Sequence, residues 1–148
     1  MPAAGKVSDG IVGVWQLDSF ESRDGEGAAS HPLGERPRGL LIYTATGWMS
    51  VHVARADRAP FASGDPLLAT EVEQARAFAG AFIFYSGRYA VEGDRVRHAV
   101  EMSVLPNWTG TTLERVFELD GNTLILRTPP VGIGGTAISS ELRWHRVG

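Results

Sequence analysis

His98 is the residue of this chain best suited to acid–base chemistry, because an imidazole can donate and accept a proton near neutral pH. It lies in a segment, residues 96–103, in which apolar and polar residues alternate. In a β-strand, this period of two puts His98 on the same face as Val96, Val100 and Met102. The pattern therefore predicts a histidine that faces the core. A structural histidine, hydrogen-bonded to the backbone or to a tyrosine hydroxyl, fits the same pattern equally well.

Two tyrosines and an arginine are the other candidates for chemistry. Tyr85 and Tyr89 share one face of a predicted strand, where their hydroxyls could donate hydrogen bonds to a carbonyl or enolate oxygen. Tyrosines that fill a core and satisfy their own hydroxyls are the alternative. Arg115 shares a face with Phe117 and Leu119, and a guanidinium among apolar side chains is costly without a carboxylate or an anionic ligand. Either a ligand carboxylate, enolate or phenolate is its counter-ion, or the side chain snorkels to water.

The elements that position these residues are mostly strands. About eight alternating segments are separated by turn signals, which predicts an all-β fold: an eight-stranded antiparallel up-and-down β-barrel with one short α-helix. The predicted strands are Ile11–Arg23, Gly39–Thr44, Trp48–Arg55, Ala81–Val91, Val96–Val104, Thr111–Leu119, Thr123–Thr128 and Ala137–Val147.

The helix is predicted between Asp65 and Gly80. Asp65 suits an N-cap, Pro66 suits the first helical position, and Thr70 with Glu73 offers a later capping-box start. One side of this helix should pack against a sheet or plug a barrel end; its residues are Leu68, Val72, Ala75 and Ala79. The preceding segment, residues 55–64, has no sustained period and is interpreted as a long loop, and long ordered loops are often lids.

Length and composition fit one domain, residues 11–148, preceded by a flexible N-terminus, residues 1–10. The chain has 148 residues, 43% hydrophobic and 21% charged, and a formal net charge of −3, which gives no basic field for nucleic acid. Cysteine is absent, and the four histidines have no metal-binding spacing, so neither a disulfide nor a metal site is expected. Residues 1–10 contain no apolar run, so we predict no signal peptide, no membrane span and a cytoplasmic location.

Short motifs occur in a fixed order along nearly the whole chain. They are Gly13-Val14-Trp15-Gln16-Leu17, Leu41-Ile42-Tyr43-Thr44, Gly47-Trp48-Met49-Ser50-Val51, Tyr85-Ser86-Gly87-Arg88-Tyr89, Pro106-Asn107-Trp108-Thr109-Gly110, Phe117-Glu118-Leu119-Asp120-Gly121 and Leu142-Arg143-Trp144. In this combination the chain resembles the lipocalin-like domain proteins of bacteria and fungi. The resemblance implies a small lipocalin-type barrel, and some related barrels act as pericyclases or isomerases in natural-product pathways.

The functional prediction is a barrel that holds one hydrophobic small molecule and needs no cofactor. As the main hypothesis, it is an enzyme of the cyclase, isomerase or lyase type acting on a natural-product-like substrate, with His98, Tyr85, Tyr89 and Arg115 as catalytic residues. The alternative is a non-catalytic carrier, and a third option is a filled barrel with an accessory role. The predicted ligand-binding residues are Trp15, Tyr43, Met49, Val51, Met102, Asn107, Trp108, Phe117, Thr128 and Trp144. Exposed Trp48 or Phe61 could belong to a homodimer interface or to a lid.

Overall fold

A computed structural model of the chain describes residues 10–128, 131–133 and 136–148. Apart from Gly10, the N-terminus predicted to be flexible lies outside the described residues. The strands are β1 (Gly13–Arg23), β2 (Ala29–Ser30), β3 (Arg38–Tyr43), β4 (Trp48–Ala54), β5 (Phe82–Glu92), β6 (Arg95–Ser103), β7 (Thr112–Asp120), β8 (Thr123–Arg127), β9 (Val131–Ile133) and β10 (Thr136–Arg146). The helix α1 is Glu71–Phe78, and short 3-10 turns occur at Pro66–Leu68 and Pro106–Trp108.

Eight of the strands form a closed antiparallel barrel, as the sequence predicts. Their order is β1, β3, β4, β5, β6, β7, β8 and β10, and β10 pairs back onto β1 from Trp15 opposite Arg146 to Arg23 opposite Ser139. The two short strands are additions to this barrel: β2 pairs with the end of β1, and β9 pairs with the start of β10.

The alternation of apolar and polar residues along each strand determines which side chains face the inside of the barrel and which face the outside. In β8, Leu124 and Leu126 are buried, whereas Ile125 between them faces outward. The hairpins turn at glycines that adopt positive φ angles, for example Gly47 at 91° and Gly121 at 58°, which other residues rarely adopt. The wall of the barrel therefore follows from period-two patterning and from the turn residues.

A β-bulge between β5 and β6 corrects one sequence prediction. Ser86 pairs with Met102, but the next residue, Gly87, pairs with Val100, so Glu101 is an extra residue in β6. The bulge reverses the alternation, and Met102, predicted to face the core and the ligand, is 61% exposed on the outside. Gly87 makes the bulge possible, because a Cβ atom there would collide with the carbonyl oxygen of Ala99.

One end of the barrel is filled and sealed. Trp15 is completely buried there and donates its indole N–H to the carbonyl oxygen of Ile11 at 2.9 Å. The guanidinium of Arg146 lies over the Trp15 ring, 4.3 Å from its centroid, and donates to the carbonyl oxygens of Val12 and Gly10 at 2.7 and 2.6 Å. These contacts close the barrel at this end.

The helix begins with the predicted capping box but packs differently from the prediction. The Thr70 hydroxyl accepts from the Glu73 N–H, and the Glu73 side chain accepts from the Thr70 N–H. However, α1 has no buried residue: Val72 is 59% exposed, and Leu68, in the separate 3-10 turn, is 71% exposed. The predicted apolar stripe fails because extended Ala69 breaks the segment into two short helices. Polar contacts with the preceding loop hold α1 instead, as the bond from Arg58 to the Ala77 carbonyl oxygen illustrates.

We expect Gly87→Ala to lower the free energy of unfolding by about 1–3 kcal/mol, because the new methyl group forces the bulge backbone apart. Urea unfolding followed by circular dichroism measures this change. The matched control is Gly64→Ala, since a Cβ atom at Gly64 meets nothing within 4 Å. Equal stability of the Gly87 and Gly64 variants would contradict the role given to the bulge.

Candidate functional site

The barrel encloses a cavity of about 630 Å³ at the end opposite Trp15. The strands bring mainly apolar side chains to it, among them Phe20, Val53, Ile83, Leu126 and Leu142. A volume of this size and an apolar wall are typical of small-molecule sites. The cavity contradicts the interpretation of the chain as a filled barrel.

A chain of hydrogen bonds links three strands at the floor of the cavity. His98 on β6 is 1% exposed, and its Nε2 atom lies 2.6 Å from the hydroxyl of Tyr43 on β3. Its Nδ1 atom lies 2.7 Å from the hydroxyl of Tyr85 on β5. Both ring nitrogens of a deeply buried imidazole are therefore hydrogen-bonded, as burial of a polar group requires.

The direction of these hydrogen bonds follows from the surroundings of Tyr43. Its hydroxyl is buried, and within the described part of the chain its hydrogen-bond partner is His98 Nε2. Tyr43 therefore donates to Nε2, because a buried O–H without an acceptor is costly. A neutral imidazole then carries its hydrogen on Nδ1 and donates it to the Tyr85 oxygen. The Tyr85 O–H remains available on the side of the cavity, which Tyr85 lines.

Burial keeps all three groups uncharged near neutral pH. Desolvation, together with a smaller effect of the positive charge of Arg115, lowers the pKa of His98 to about 3. Burial also raises the pKa of Tyr85, although nearby Arg115 opposes this shift. The pKa of Tyr43 is raised well above its ordinary value, first by burial and then by the proximity of Tyr85.

Arg115 is the charged group of the cavity wall. It lies half-buried on β7, opposite fully buried Val96, and lines the cavity. Its Nη1 atom donates to the carbonyl oxygen of Glu114 at 2.9 Å. Among the described residues, no carboxylate lies within 4.0 Å of its guanidinium, because the Glu114 side chain points outward to Arg95 and Arg97. The cavity thus contains a guanidinium without an ionic partner from the described chain.

Trp144 on β10 also borders the cavity. The side chain is completely buried, and its indole N–H has no acceptor in the part of the chain that the structure describes. A buried N–H without an acceptor is unusual in native proteins. This N–H is therefore closed off from the cavity as well as unpaired within the described chain.

The structure separates the predicted site residues into groups. Those that line the cavity are His98, Tyr85, Arg115, Val51, Trp108, Thr128 and Trp144. Those that pack in the core are Trp15, Tyr43, Met49 and Phe117, whereas Asn107 is exposed beside the half-buried Trp108.

Tyr89 does not join the predicted polar cluster. Its ring packs against the ring of Tyr43 in a tilted arrangement, with centroids 4.6 Å apart. Its hydroxyl donates to the carbonyl oxygen of Thr44 at 2.6 Å, in the turn at the sealed end of the barrel. Tyr85 and Tyr89 share a face, but four strand residues span about 13 Å. The alternation correctly predicted that Tyr85 and Tyr89 share a face, but it does not say how far apart they lie along the barrel axis.

Several cavity residues were missed from the sequence, including Phe20, Leu113, Leu126 and Leu142. Their alternation was visible, but apolar residues at the open and the sealed end of a strand look alike in sequence. Within the described ranges, no group of three or more histidine, aspartate or glutamate residues is arranged to hold a metal ion. In the same residues, every helix is too short or too polar to cross a membrane.

Comparisons with known proteins agree with this architecture. The model of a family described as "lipocalin-like domain" matches residues 12–147. The chain is 36% identical, over 108 residues, to a 4'-hydroxy-3'-methoxypropiophenone carrier protein of Aspergillus oryzae; the match covers 67% of this chain and 96% of that protein.

Two solved structures are similar in outline. One is a lipocalin-like protein of Bacteroides uniformis, with a TM-score of 0.48 and 12% identity, covering 93% of this chain and 98% of that one. The other is an uncharacterized protein of Bacteroides eggerthii, with a TM-score of 0.43 and 12% identity, covering 92% and 98%.

We expect the burial of His98 to make the protein less stable as the pH falls. The pKa of this residue is about 6.5 when unfolded and about 3 when folded, so between these values the unfolded chain binds more protons. From pH 7 to pH 5, this linkage should cost about 2 kcal/mol of the free energy of unfolding. His98→Gln should remove that part of the pH dependence, and exposed His52→Gln should leave it unchanged. Urea unfolding at several pH values tests this, and identical pH profiles for the wild type and His98→Gln would refute it.

Proposed function

The chain belongs to the lipocalin-like domain family, and from that premise we propose that it is a non-catalytic carrier of one hydrophobic small molecule. The observation that carries the proposal is the cavity of about 630 Å³, whose wall is mainly apolar. Burial of a ligand's apolar surface supplies the main driving force for binding. The few donors on the wall orient the ligand.

The Aspergillus relative suggests the class of ligand. Its name describes a carrier of an aromatic ketone that also bears a hydroxyl and a methoxy group. We propose that this chain binds a compound of similar size and character, in a pathway of secondary metabolism. An aromatic ring suits the apolar wall and the edge of Trp108, which already meets the Tyr85 ring in a T-shaped contact at 5.8 Å.

An enzyme of the cyclase, isomerase or lyase type is the second candidate. The donors of Tyr85 and Arg115 favour it, because they could stabilise an oxyanion that develops during a reaction. The state of His98 supports the carrier instead: a base with a pKa of about 3 takes up a proton poorly at neutral pH. A cytoplasmic location and a homodimer stay predictions from the sequence.

Isothermal titration with 4'-hydroxy-3'-methoxypropiophenone tests the carrier proposal. We expect one molecule to bind per chain, and Leu113→Trp to weaken binding at least tenfold, because Leu113 pairs with His98 and lines the cavity. The control is Ile125→Trp, an equally bulky change on the outer face of β8, which should leave the affinity unchanged. No binding to the wild type, or an equal loss in both variants, would refute binding of this compound class inside the barrel.

Recovery of the ligand distinguishes a carrier from an enzyme. We expect the compound to be extracted unchanged after prolonged incubation with the protein, because the buried groups of the cavity are poor proton donors and acceptors. Liquid chromatography with mass spectrometry measures this and detects isomers by their retention times. A new product that forms with the wild type, and is lost with His98→Gln while affinity is retained, would favour the enzyme.

A further inference from the structure

We propose that the cavity selects ligands that end in an anionic oxygen, such as a carboxylate, enolate or phenolate, and that Arg115 binds this oxygen. The inference rests on the proposed function and adds the chemistry of the ligand's polar end. It is carried by three features of the described residues: the charge of Arg115, the donor at Tyr85, and the hydrogen-bonded state of the hydroxyls of Thr128 and Ser140.

The first feature is the contrast between Arg115 and three arginines of the neighbouring strands β6 and β8. Arg95 and Arg97 both contact Glu114, and Arg127 contacts Glu118 and Glu141. Arg115 has no such partner among the described residues, although it is the arginine that lines the cavity. An arginine remains charged, and burying its charge without a counter-ion is costly. An anionic ligand would remove that cost when it binds.

The second feature is the oriented hydroxyl of Tyr85. Because Tyr43 donates to His98 and His98 donates to Tyr85, the Tyr85 hydrogen is left for an acceptor on the cavity side. The chain of hydrogen bonds polarises this hydroxyl in the donating sense. Against the effect of burial, Arg115 lowers the pKa of Tyr85 through its charge and through a side-chain hydrogen bond, so the two groups lie close enough to meet one ligand oxygen.

The third feature is that two hydroxyls of the cavity wall are already hydrogen-bonded within the protein. Thr128 Oγ1 accepts from the Ser140 N–H at 2.9 Å, and Ser140 Oγ lies 2.8 Å from Ser22 Oγ. A set of donors with one full positive charge fits an oxyanion better than a neutral hydroxyl or an amine.

Two fluorescent dyes with the same rings provide the test. 1-Anilinonaphthalene-8-sulfonate carries an anionic group, and N-phenyl-1-naphthylamine lacks it. We expect the wild type to bind both, with at least a tenfold lower Kd for the anionic dye. Arg115→Met, which keeps the length of the apolar stem, should abolish this preference and leave the Kd of the neutral dye within twofold. The matched control is Arg143→Met, since Arg143 lies on the outer face of β10 and should not affect either dye.

The same comparison can be made on the wild type alone, whatever the stability of the variants. Displacement of the neutral dye by 2-naphthoate should need at least tenfold less competitor than displacement by 2-naphthamide. Equal binding of charged and neutral partners, or a preference that survives Arg115→Met, would overturn the selection of an anion and leave the carrier role intact. Failure of the wild type to bind either dye would overturn the carrier role, and this inference with it.

Discussion

A histidine buried among apolar side chains needs a hydrogen-bond partner at each ring nitrogen, and this requirement organises the interior of the barrel. His98 meets it with Tyr43 on one side and Tyr85 on the other, so β3, β5 and β6 must keep a fixed register. Below this layer the barrel is filled by residues such as Trp15 and Tyr89. Above it lies the cavity, so the histidine marks the boundary between core and site.

The two ends of the barrel use arginine in opposite ways. At the sealed end, the guanidinium of Arg146 stacks on Trp15 and donates to two backbone carbonyl oxygens. Its role there is to hold the end of the barrel closed. At the open end, Arg115 donates to one carbonyl oxygen and faces the cavity. The same side chain therefore stabilises the fold at one end, and at the other it supplies the polar anchor that we propose for a ligand.

Alternation and turn residues were sufficient to predict the eight strands, and they placed His98, Tyr85 and Arg115 on the inner face. The prediction that Met102 faces the core was wrong because a single extra residue, Glu101, reverses the alternation. A bulge of this kind leaves no clear mark in the sequence pattern. The bond between Tyr43 and His98 joins residues 55 positions apart, so it depends on barrel closure rather than on local spacing. The position of a residue along the barrel axis could not be predicted from alternation either. For this reason Tyr85 and Tyr89 were both predicted to belong to the polar cluster.

The pairing of β1 with β10 has a consequence for the way in which the protein is made. The bond from Arg146 to the Val12 carbonyl oxygen joins residues 134 positions apart, and the barrel closes only through such contacts. Bringing together segments this distant costs loop entropy before any contact compensates it, so folding is expected on the slow scale of milliseconds to seconds. During synthesis on the ribosome, β1 cannot pair with β10 until β10 has emerged, so the apolar face of β1 stays exposed until then. Early β-hairpins would then be the species most exposed to aggregation and most dependent on chaperones.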